Sequence, residues 1–189
     1  MRFLIGILVL AVVIGYAIGG RLRNVEGLRL RWWGLAPLGL ALQLVPVSSH
    51  GIAVGLLITS YPVLMLFALA NIRLAGVALI FVGLALNLTV IAANQGMPVT
   101  KHALVASGQG SLLGDLEKNG GAKHFLARPG NTVLLPLGDV IPIGNPIDQV
   151  VSVGDCVVYG GVVWLIAAAM RGRSLLIGPR PRETAPTRS

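Results

Sequence analysis

The chain has 189 residues, 54% of them hydrophobic and 12% charged, with a formal net charge of +8. Soluble domains carry about 25% charged residues, so a water-soluble fold of this length would leave too much apolar surface bare. A multi-pass helical membrane protein removes the problem, because lipid is then the solvent. In a soluble protein the positive charge would suggest nucleic acid. Here the basic residues fall between apolar runs rather than along one face. They read as topology signals, and no nucleic-acid partner is expected. Cys156 is the single cysteine, which excludes an intramolecular disulfide and a cysteine metal cluster.

Five apolar stretches approach the length needed to cross a hydrocarbon layer, about 20 helical residues. They cover about 3–20, 32–47, 52–70, 74–93 and 150–170. The first could be read as a cleaved signal peptide, but only Arg2 precedes it while Arg21, Arg23, Arg29 and Arg31 follow. That order favours a retained helix with its N-terminus outside. The second carries Trp32 and Trp33 at one edge as interface anchors, and the third contains Pro62. If all five span, Arg21 to Arg31, Arg73 and the tail arginines share one side. The other side carries a long loop, 94–149, whose basic residues are balanced by Asp115, Glu117, Asp139 and Asp148. The positive-inside rule puts the C-terminus in the cytoplasm.

That loop is too long to be a plain connector. Its segment 132–146, "TVLLPLGDVIPIGNP", is apolar but broken by Pro136 and Pro142 and too short to cross. It is expected to be interfacial or re-entrant, where protein or a wet cavity covers its backbone. The basic, Pro-rich tail 171–189 is expected to be disordered.

Asp155 stands in the apolar run "VVSVGDCVVYGG". Read as lying within the fifth helix, it sits on one stripe with Asp148, Ser152 and Tyr159, at i−7, i−3 and i+4. An intramembrane carboxylate is a functional candidate by default. Asn87 in the fourth stretch lies at a similar depth, and Asn94 follows on the same side. Asn87, Gln43 and Ser60 also suit simple hydrogen bonding between helices. The polar groups therefore gather in the outer half, under the loop. The candidate ligand-binding residues are Asp155, Asn87, Asp139, Tyr159, Ser152 and Asn94. His50, His102 and His124 lack metal-ligand spacing and are expected to be solvated, so no metal site and no cofactor is expected.

Three short motifs carry a family resemblance: "NQGMPV" (94–99), "LGDVIP" (137–142) and "VSVGDCVV" (151–158). They resemble an uncharacterised bacterial family of small multi-pass membrane proteins, domain of unknown function 5317. The resemblance implies that Asn94, Gly96, Met97, Pro98, Gly138, Asp139, Ser152, Gly154 and Asp155 are signature positions. It brings no activity.

The expectation is an all-α integral membrane protein of a bacterial plasma membrane, with about five spans in one domain, 1–170, and one partly re-entrant external loop. Its partners are the lipid bilayer and either other membrane proteins or itself. Three functions stay open: binding or passage of a small polar ligand or ion in an outward pocket, a non-catalytic scaffold, and an enzyme using Asp139 and Asp155 on a lipid-linked substrate.

Overall fold

The computed structural model describes residues 2–118, 120–128, 130 and 132–172. Most of the expected tail therefore lies outside the described residues. Of the described residues, 63% are helical. Each apolar stretch holds one helix: α1 (Arg2–Ala17), α2 (Leu35–Leu44), α3 (His50–Ala70), α4 (Val77–Asn94) and, numbered after two short helices of the loop, α7 (Val153–Met170). At 1.5 Å per residue α3 is about 31 Å long, and α4 and α7 about 27 Å. These three are long and apolar enough to cross a membrane. The other two are shorter, at 16 and 10 residues.

The helices pack through small residues, as lipid-exposed bundles do when no water drives them together. The tightest seam joins α4 to α7. Gly83 of α4 lies against the backbone of Gly154 and Val158, and seven residues earlier Gly76 lies against Gly161. No side chain fits at Gly154, because Asn87 Oδ1 fills that space. Leu57, Tyr61 and Leu64 of α3 meet Leu84, Val90 and Ile91 of α4 in the main core. α2 is pinned to α3 where Gly39 meets Leu64 and where Gln43 Nε2 donates to Ser60 Oγ at 3.0 Å. α1 runs beside α7, and at their shared end Arg21 N and Asn24 Nδ2 both donate to the Met170 carbonyl, each at 2.7 Å.

The long loop is a folded cap. It holds α5 (Lys101–Ala106), α6 (Leu113–Lys118) and four three-residue strands: β1 (Met97–Val99), β2 (His124–Leu126), β3 (Ile141–Ile143) and β4 (Gln149–Val151). β1 pairs parallel with β2, and β3 pairs antiparallel with β4. The all-α expectation is thus corrected by two small sheets. Segment 132–146 contains one turn of 3₁₀ helix, Leu135–Leu137, and then β3. The stretch 150–152 was also expected to be helical. Its valines belong to β4, where β-branched side chains are favoured, and α7 starts only at Val153.

Candidate functional site

At the cap end of α7, Ser152 is the N-cap and Asp155 the third helical residue. The Ser152 hydroxyl accepts from Asp155 N at 2.9 Å, and Asp155 Oδ2 accepts from Ser152 N at 3.1 Å, a capping box. Asn87 of α4 closes the network. Its Nδ2 donates to Asp155 Oδ1 at 2.7 Å, and its Oδ1 accepts from Ser152 Oγ at 2.9 Å. Both carboxylate oxygens of Asp155 are therefore engaged, and the positive end of the helix dipole favours their charge. Asp155 lies in the first turn rather than deep in a helix. The four-residue stripe reduces to Asp155 and Tyr159, since Asp148 and Ser152 precede the helix. The Tyr159 ring packs edge-on against Phe3 of α1, with centroids 4.8 Å apart.

Asn94 lies apart from this network. At the end of α4 its side chain donates to the carbonyls of Val90 and Val133 and accepts from Val133 N. It fastens the cap to the bundle and leads into β1, whose Val99 bridges to Asp139.

Asp139 has a different setting. Its backbone pairs with β1: Asp139 N donates to the Pro98 carbonyl at 2.9 Å, and Thr100 N donates to the Asp139 carbonyl at 3.3 Å. Gly138 permits this approach, because a Cβ there would sit 2.6 Å from the Pro98 oxygen. The Asp139 side chain is 10% exposed, and His124 Nε2 lies 3.6 Å from its Oδ2. That is too long for a hydrogen bond. Burial, with the charge of Asp155 added, pushes the Asp139 carboxyl up to about 8. Protein crowded around His124, with the Lys123 charge beside it, holds that imidazole below its ordinary value. Its side chain is 52% exposed, so water moderates the push. Near neutral pH the two groups face each other mostly uncharged.

Both line a cleft of about 350 Å³ in the cap, with Gln109, Asp115 and Gln149 as further polar walls and Leu104, Leu112 and Leu116 as apolar ones. Asp155 is not among the lining residues. The cluster expected from sequence thus divides into a saturated network, Asn87–Ser152–Asp155, and an unsaturated carboxyl, Asp139, on a cleft. His124, expected to be solvated, is a wall of that cleft. The parallel pairing of Met97 with His124 brings it there. No pattern in the sequence announces such a pairing, because it joins segments 27 residues apart whose strands are three residues long. Among the described residues no group of three His, Cys, Asp or Glu side chains could hold a metal.

Fold and site together describe a mostly helical protein with three membrane-length apolar helices and a folded polar cap. The chain belongs to the family of unknown function DUF5317, whose model matches residues 27–167. No curated protein and no solved structure matches it. The three motifs that carry the resemblance coincide with the joints just described: Asn94 at the cap hinge, Gly138–Asp139 against β1, and Ser152–Asp155 against Asn87.

Proposed function

We propose that this is a multi-pass protein of a bacterial plasma membrane whose outward cap binds a small, positively charged polar ligand or cation at Asp139. The observation that carries the reading is a nearly buried carboxyl, without a hydrogen-bond partner, on the wall of a cleft. Its oxygens reach the cleft rather than being sealed inside protein, so a ligand there can supply the partners they lack. Burial keeps the proton on Asp139 until a cation replaces it, and Asp155 has a supporting part by adding to that effect.

Five alternating passes are supported by the packing. α1 and α7 end together beside Met170, whereas Gln43 at the far end of α2 is reached by Lys123 of the cap, whose ammonium donates to the Gln43 carbonyl. Arg29, Arg31 and Arg73 share the end opposite the cap, which supports a cytoplasmic location for that end. A scaffold role draws only on exposed apolar helix faces, which lipid covers equally well. A carboxylate-pair enzyme needs Asp155 free, and its oxygens are occupied.

The test is calorimetric titration of the full chain in detergent with sodium, calcium and ethanolamine between pH 6 and 9. One of these cations should bind with proton release, its affinity rising about tenfold per pH unit and levelling off above pH 8. Asp139→Asn should abolish that binding while the helical circular dichroism stays intact. Binding that ignores pH, or that survives in Asp139→Asn, rejects the reading.

A further inference from the structure

At the end of the bundle opposite the cap, the segment "LRLR" (28–31) alternates. Leu28 and Leu30 pack on Ala68, Leu74 and Val77, so Arg29 and Arg31 project the other way. Asn71, 4% exposed, holds the segment in place. Its Oδ1 accepts from Arg31 N at 2.8 Å, and its Nδ2 donates to the Arg31 carbonyl at 2.9 Å and to Phe67 O at 2.8 Å. Two residues on, Arg73 in the α3–α4 turn faces the same hollow, of about 430 Å³. No acidic residue lines it, and none of the three arginines pairs with a carboxylate among the described residues. Exposed Leu69 and Ile72 form its apolar side, and Trp32 and Trp33, the latter 71% exposed, follow Arg31 directly.

We propose that Arg29, Arg31 and Arg73 form a binding site for the phosphate of an anionic phospholipid headgroup. Three guanidinium groups held on a fixed backbone suit phosphate, which takes forked hydrogen bonds from arginine. A basic pocket between helices on the cytoplasmic side is where anionic headgroups bind. The apolar side accepts the start of an acyl chain, and exposed tryptophans mark headgroup depth. A soluble phosphate compound would share the phosphate chemistry but make no use of Leu69, Ile72 or the tryptophans. The proposal rests on the membrane reading but is independent of the Asp139 cleft.

Native mass spectrometry of the full chain released from nanodiscs tests it, with phosphatidylglycerol and phosphatidylcholine supplied equally. The native chain should retain phosphatidylglycerol preferentially. Each Arg→Gln substitution at 29, 31 and 73 should weaken retention about fivefold, the contribution of one basic residue near an anionic surface. Millimolar inorganic phosphate should not displace the lipid. Equal retention of the two lipids, or unchanged retention in R29Q/R31Q/R73Q, overturns the site. Displacement by inorganic phosphate overturns the lipid as its occupant. If the triple variant fails to fold, R73Q alone decides, since it leaves the Asn71–Arg31 clamp untouched. A chain that does not remain with membranes after alkaline extraction would overturn the membrane reading itself.

Discussion

Asp155 and Asp139 each follow a glycine, and each stands at a joint between cap and bundle, yet their surroundings are opposite. Asp155 is surrounded by donors: Ser152 N, Asn87 Nδ2 and the amide dipoles of α7. Asp139 is the more deeply buried of the two but has only a distant imidazole. The second carboxyl holds its proton against burial, while the first has its oxygens paired. A carboxylate in an apolar run is therefore not a single kind of signal. Its role depends on how many donors reach it, and saturation marks architecture where its lack marks chemistry.

That contrast can be broken most severely at the seam beneath Asp155. Gly154→Leu would drive a side chain into Asn87 and the backbone of Gly83. The expected result is loss of folded, monodisperse protein in size-exclusion chromatography. Asn87→Leu comes next. It removes the acceptor of the Ser152 hydroxyl and one donor to the part-buried Asp155 carboxylate, at about 2 kcal/mol, read as a lower melting temperature in detergent. A third variant, Asp155→Asn, removes charge from the helix dipole but keeps an acceptor, so it should cost about 1 kcal/mol and leave cation binding at Asp139 in place. If it abolished binding while the melting temperature held, the two carboxyls would have exchanged roles.

The remaining effect is one of pH. Folded Asp139 keeps its proton up to about 8, whereas the unfolded carboxyl loses it near 3.8. Between those values the folded state binds more protons, so stability should fall as pH rises through this window. His124 acts the other way around its ordinary 6.5 and, half exposed, only weakly. Melting curves between pH 5 and 9 should slope downward for the native chain and flatten in Asp139→Asn. A flat native curve would erase the difference between the two sites.

Part of the site was written locally. Ser152-x-x-Asp155 is a capping-box spacing, and read as a helix start it places Asp155 in a first turn. The apolar residues upstream, Val150 and Val151, masked it by extending the hydrophobic run. Gly138 and Gly154 stood in the motifs without a reason, because what they make room for, the Pro98 carbonyl and the Asn87 side chain, comes from distant segments. The cleft was illegible for the same cause: its walls come from α5, α6, β2, β4 and the bridge at Asp139, none long enough to leave a periodic signature.

The sequence by itself determined that each long apolar run holds a helix, since run length and hydropathy are properties of contiguous residues. Tertiary structure alone decided which acid is satisfied. Asn87 and Asp155 are 68 residues apart, and only the close glycine seam of α4 and α7 brings amide to carboxylate. Hydrogen bonds depend on distances of tenths of an ångström, and those are set by packing between segments rather than by order along the chain.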